Sequence, residues 1–121
     1  MPRKILVVED VENNRILIRD LLAYYGYTVV EAKNGSECVE LAKEERPDLI
    51  LMDLQMPVMD GFTAVKILKN DPGTRDIKIF GITSSAMKGD REKVMDAGFD
   101  GYISKPIDTR QLPRIVKMLL R

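Results

Sequence analysis

The sequence predicts an α/β fold: one parallel five-stranded sheet with helices on both faces. Three observations carry this. Short apolar runs alternate five times with stretches at helical spacing, the pattern of strands joined by helical crossovers. One run, Leu49-Ile50-Leu51-Met52, is apolar at every position, as a strand covered on both faces requires. Four of the runs end abruptly in polar side chains: Glu9-Asp10, Asp53, Thr83-Ser84-Ser85 and Lys105. Right-handed crossovers leave few topologies for five such units. The flavodoxin-like order 2-1-3-4-5, a (βα)5 three-layer sandwich, puts the first and third strands side by side with a crevice at their carboxyl ends.

The elements follow in order. The first strand is Lys4-Ile5-Leu6-Val7-Val8. A helix from Asn13 to Tyr25 follows, with Ile16, Leu17, Asp20, Leu21 and Tyr24 at helical spacing and Gly26 as its stop. Residues 27–31 have the mixed polarity of an edge strand. Asn34-Gly35 opens a helix from Ser36 to Glu45 that buries Val39 and Ala42, and Pro47 blocks its continuation. The central strand spans 48–52. Asp60-Gly61 opens a third helix from Phe62 to Lys69, with Val65 and Leu68 facing inward, and Asp71-Pro72-Gly73 is a loop. A strand at 78–82, a helix near 88–96 stopped by Gly98, a strand at 101–103 and a helix running to Leu120 complete the chain. The last helix carries the stripe Leu112, Ile115, Val116, Leu119, and Pro113 belongs in or near its first turn.

With 121 residues the chain suffices for one domain, residues 1–121, and not for two. Nineteen cationic and nineteen acidic residues balance, so bulk charge gives no reason to expect nucleic-acid or membrane-surface binding. The single cysteine, Cys38, permits no internal disulfide and reads as a small buried hydrophobe on a helix. Histidine is absent, which removes the commonest general base and metal ligand. No segment is long enough to span a bilayer, and no secretory leader precedes the first strand, so a reducing, cytoplasmic setting is expected.

If the strands are parallel and adjacent, their polar endings meet at one edge. A strand-ending Asp is by itself ordinary turn chemistry. Together, Glu9, Asp10 and Asp53 would lie within several ångströms of one another. Two like charges at 4 Å repel by about 4 kcal/mol at an effective dielectric of 20, so the cluster must hold a proton or bind a cation. Oxygen ligands without His or Cys favour a hard ion, and an open site suits Mg²⁺. Calcium fits less well, since the acids do not share one loop. Lys105 supplies a point cation and Thr83 a hydroxyl, and with the metal they form a cradle for phosphoryl oxygens. Asp53, central in the crevice, is best placed as a carboxylate nucleophile.

Val8-Glu9-Asp10, the run Leu51-Met52-Asp53-Leu54-Gln55-Met56-Pro57 through Asp60-Gly61, Ile82-Thr83-Ser84 and Tyr102-Ile103-Ser104-Lys105-Pro106 resemble the receiver domain of two-component response regulators. The resemblance covers essentially the whole chain. Ala86-Met87-Lys88-Gly89-Asp90 and Lys105-Pro106-Ile107-Asp108 are most similar to single-domain regulators of the bacterial cell-division type. The resemblance implies that Asp53 accepts a phosphoryl group from a phosphohistidine of a sensor kinase or phosphotransfer protein. It implies that Asp10, Asp53 and the Gln55 carbonyl ligate Mg²⁺ while Glu9 holds a metal-bound water. Glu9 is a departure, since many members carry Asp there. By the same resemblance Lys105, Thr83 and the Ser84 amide contact phosphoryl oxygens. Asp53 and Lys105 are the catalytic pair, Tyr102 is a switch aromatic coupled to Thr83, and Gln55 and Ser85 flank the path of attacking water.

A switch also has a physical basis. Phosphorylation changes one negative charge to about two and adds acceptor oxygens, and Thr83 can respond to them. The helix after Thr83 has few apolar residues, Met87, Val94 and Met95, so it is weakly anchored and suited to move. The expectation is therefore a phosphoryl-accepting regulator, monomeric or weakly dimeric, that meets a protein target through helix 4, strand 5 and helix 5. It is either a stand-alone protein or relay intermediate, or a receiver belonging to a larger hybrid kinase. Turnover of small substrates is not expected: a haloacid-dehalogenase-type phosphatase needs an acid two residues after its nucleophile, where this chain has Gln55. A silent interaction module would take up no phosphate. A flavin site lacks its hydroxyl-rich loop after the first strand.

Overall fold

The computed structural model describes residues 3–54, 56, 59–84 and 88–120, with backbone alone at 88–90. The elements alternate strictly: β1 (Lys4–Val8), α1 (Glu12–Tyr24), β2 (Thr28–Ala32), α2 (Gly35–Glu45), β3 (Leu49–Asp53), α3 (Gly61–Asn70), β4 (Lys78–Thr83), α4 (Lys88–Ala97), β5 (Gly101–Ser104) and α5 (Gln111–Leu119). The five strands are parallel in the order β2-β1-β3-β4-β5, the expected flavodoxin-like arrangement.

Alternation along the strands separates two cores. Leu49 and Leu51 of β3 join Ile5 and Val7 on the face covered by Ile18 and Leu22 of α1 and Leu112 and Val116 of α5. Ile50 and Met52 point the other way, toward Cys38 and Ala42 of α2, Val65 and Leu68 of α3 and Val94 of α4. Because both faces are covered, all five β3 residues are buried. Burying one such aliphatic side chain contributes about 1.5–3 kcal/mol.

Local chemistry sets the helix ends. Asn34 accepts from Glu37 N at 2.9 Å and Asp60 from Thr63 N at 2.8 Å, so each caps its helix. Gly26 follows α1 with φ +92°, a left-handed conformation that side chains resist. Pro113 is the third residue of α5, where its missing N–H leaves no intrahelical bond unmade.

The face of α1 corrects the expected stripe. Arg15, Ile18 and Leu22 are the buried residues, while Leu17 is 47% and Tyr24 83% exposed. Apolar side chains at 16, 17, 18, 21 and 22 span a broad arc, so apolar spacing alone did not fix the helix rotation. The inward line runs through a cation, Arg15, that such spacing skips. In α2 the deepest residues are Cys38 and Ala42, with Val39 only partly buried. Burial pushes the Cys38 thiol up to about 12.

Candidate functional site

The strand ends are tied into one edge by backbone bonds. Glu9 N donates to Ala32 O at 3.0 Å, Leu54 N to Ile82 O at 3.1 Å, and Lys105 N to Thr83 O at 2.7 Å. In the ladders Val8 lies opposite Met52, Asp53 opposite Ile82 and Thr83 opposite Ser104. Parallel pairing therefore brings together residues from positions 9, 53, 83 and 105. The first turn of α3 closes in behind: a Cβ on Gly61 would stand 2.8 Å from the Asp53 carbonyl oxygen, so glycine permits this approach.

Glu9 is fully buried, Asp53 is 4% exposed and Asp10 is open to solvent. One carboxylate oxygen from each lies within 4.8 Å of the others. Lys105 Nζ is 3.1 Å from Asp53 Oδ2 and 3.4 Å from Glu9 Oε2. Burial is the main cause that raises the Glu9 carboxyl above its ordinary range. The adjacent Asp53 charge and a hydrogen bond with Asp53 add to it, and Lys105 and the Val11 N–H partly offset it. Burial alone would lower the Lys105 ammonium, but its hydrogen bond to Asp53 and the two carboxylates prevail and raise it.

Glu9 Oε1 accepts from Val11 N at 3.3 Å. Glu9 Oε2 is buried, and its 3.4 Å ion pair with Lys105 does not have hydrogen-bond geometry. An oxygen-only donor set with such an oxygen fits a hard cation, and this cluster could hold a metal ion.

The other expected residues fall around this cluster. Thr83 is buried at the end of β4, and Ser84 follows it exposed. Tyr102, on β5, is half-buried; its hydroxyl accepts from Arg91 Nε at 2.8 Å, and the guanidinium carbon lies 5.7 Å from its ring centre. Gln55 and Ser85 lie outside the described residues.

Arg15 has a part that sequence reasoning missed. It is buried, donates to the Glu9 carbonyl at 3.0 Å through Nη1, and pairs with Glu31 Oε1 at 3.1 Å through Nε. It thus braces the β1–α1 turn that carries Glu9 and Asp10. The only signal was its spacing, three residues before Ile18 and seven before Leu22.

No helix among the described residues is long and apolar enough to cross a membrane. Residues 5–117 match the family described as the response regulator receiver domain. The polar-differentiation response regulator DivK of Brucella anthropi is 43% identical over 120 residues, covering 99% of this chain and 98% of the relative; the Brucella ovis DivK is 41% identical over the same length. The receiver domain of a Pseudomonas aeruginosa sensor histidine kinase, solved with a magnesium ion in its active-site cleft, superimposes with a TM-score of 0.91 at 34% identity, covering 99% of this chain and 98% of that one. The Vibrio cholerae chemotaxis protein CheY4 gives 0.93 at 28% identity, covering 99% and 100%. Fold, carboxylate edge and whole-length similarity agree: the chain belongs to the response regulator receiver domain family.

Proposed function

We propose that this receiver accepts a phosphoryl group on Asp53 from a phosphohistidine of a kinase or phosphotransfer protein, with Mg²⁺ bound, and that the modified state changes its affinity for a protein target. The observation that carries this is the setting of Asp53: a nearly buried carboxylate 3.1 Å from Lys105 Nζ, with oxygens of Glu9 and Asp10 within 4.8 Å. An Asp53 carboxylate oxygen attacks phosphorus as the P–N bond breaks, and the departing imidazole keeps that electron pair. Lys105 moves its charge from carboxylate to phosphoryl oxygen, and the Thr83 hydroxyl and Ser84 amide contact the others.

Asp10, Asp53 and the Gln55 carbonyl would hold the metal directly, with Glu9 through water. When bound, Mg²⁺ supplies positive charge against the carboxylates and the phosphoryl oxygens. Catalysis here amounts to position and charge, so slow self-dephosphorylation without turnover of small phosphomonoesters is expected. A cytoplasmic setting fits such an exchange with a kinase or phosphotransfer protein.

For the readout, Thr83 moves toward the phosphoryl group and Tyr102 turns inward, releasing Arg91. The surface of α4, β5 and α5 changes with it, and the target binds there. The 43% and 41% identity with DivK relatives supports a regulator of that kind. Incubation with acetyl phosphate and Mg²⁺ tests the chemistry: the wild type gains base-labile phosphate and Asp53→Asn does not. Equal uptake by both would assign the nucleophile elsewhere. Tyr102→Ala should leave uptake nearly intact while altering target affinity, and an unaltered affinity rejects the switch.

A further inference from the structure

We propose that the groove between the α1–β2 turn and α5 docks an acidic, extended segment of a protein partner. The groove, about 580 Å³, is lined by Tyr25, Tyr27, Arg110, Pro113, Arg114 and Lys117. It shares no residue with the carboxylate edge. No carboxylate lines it, although the chain as a whole is neutral. Residues 109–121 hold four cationic side chains and no acidic one.

Their grouping around one groove, and not pairing alone, sets these cations apart, since the side chains of Lys33, Arg46, Lys66, Arg75, Lys78 and Lys93 also have no carboxylate partner among the described residues. Lys4, Arg15, Arg19, Lys43, Lys69 and Lys105 each have a carboxylate partner. Among the described residues Arg110, Arg114 and Lys117 have none. Helix electrostatics account only for Lys117, in the last turn of α5, where a cation complements the dipole. Arg110 stands at the N-cap, the end where positive charge is disfavoured. Asp108, which could neutralise it, instead accepts from the Arg110 and Gln111 backbone N–H groups at 2.8 and 3.3 Å.

The spacing fits an extended chain. At about 1.5 Å of rise per residue, positions 110, 114 and 117 stand about 6 and 4.5 Å apart along the helix. Alternate side chains of a strand-like segment repeat every 6.8 Å or so, within reach of flexible arginine and lysine stems. Arginine forks take carboxylates in bidentate fashion. Tyr25, 56% exposed, and the half-buried Tyr27 supply ring faces and hydroxyls along the opposite wall. A neutral chain lacks the long-range attraction that nucleic-acid binding draws on, so an acidic peptide is the favoured occupant.

The test uses the full chain and a labelled peptide of alternating glutamate and serine, read by fluorescence anisotropy, with a single-stranded oligonucleotide of equal charge as the second arm. The peptide should bind, weaken as salt rises, and perturb the Tyr25 and Tyr27 ring signals in NMR spectra. Arg114→Gln and Arg110→Gln should each weaken it several-fold, and together by about tenfold or more. Arg75→Gln, an exposed cation outside the groove, should leave it unchanged. All these variants alter exposed side chains, and circular dichroism verifies their folding. Absence of peptide binding, equal loss with Arg75→Gln, or an oligonucleotide binding tighter than the peptide would each overturn the proposal.

Discussion

A carboxylate buried beside a second carboxylate resists ionisation, and Glu9 is so placed. Its folded form holds a proton more tightly than the unfolded chain, whose Glu titrates near 4.5. Stability linked to this group is therefore present below that pH and is lost as the pH rises through the higher folded value. In metal-free protein, Glu9→Gln should raise the melting temperature at neutral pH and flatten its decline above pH 4.5. A variant melting lower than wild type at pH 7 would refute this. The same substitution should weaken Mg²⁺ binding, since it removes the charge of the group that would hold a metal-bound water. Arg15 acts through Glu9's backbone. Arg15→Met leaves Glu31 one cation short and the β1–α1 turn unbraced, so it should weaken Mg²⁺ by several-fold in a calorimetric titration; an unchanged affinity denies Arg15 any positioning role. The acids and Lys105 were legible in the sequence because each stands within two residues of the end of an apolar run. Arg15 was not, because a buried cation breaks the very periodicity by which a helix face is read.

At the scale of elements, α1 separates the expected face from the observed one. Ile18→Ala should cost about 2–5 kcal/mol in denaturant unfolding, as core truncations do, while Leu17→Ala should cost less than about 1. The reverse ranking would restore the Leu17 face. Caps and stops such as Asn34, Asp60, Gly26 and Gly98 were legible because turn chemistry is local. The seating of Gly61 against the Asp53 carbonyl was not, since the two sit on different elements. The contact between Arg91 and Tyr102 also joins separate elements, α4 and β5. Arg91→Ala should shift the Tyr102 ring resonances toward those of the beryllofluoride-treated wild type, and spectra identical to the untreated protein would deny the restraint.

For the whole molecule, strand order does the work. Parallel pairing in the order 2-1-3-4-5 converts four distant strand endings into one edge; alternation with helices made the parallel sheet legible from sequence, while its order was taken from the flavodoxin-like fold among the few that right-handed crossovers allow. The groove beside α5 was less so, because its tyrosines and its cations come from opposite ends of the chain. The central claim is that the assembled edge makes Asp53 the site of phosphorylation, and borohydride trapping tests it most directly. Reduction of the acyl phosphate formed with acetyl phosphate and Mg²⁺, followed by peptide mass mapping, should find homoserine at position 53 in the wild type and nowhere in Asp53→Asn. Homoserine at another aspartate, or at none while phosphate is retained, would contradict the account.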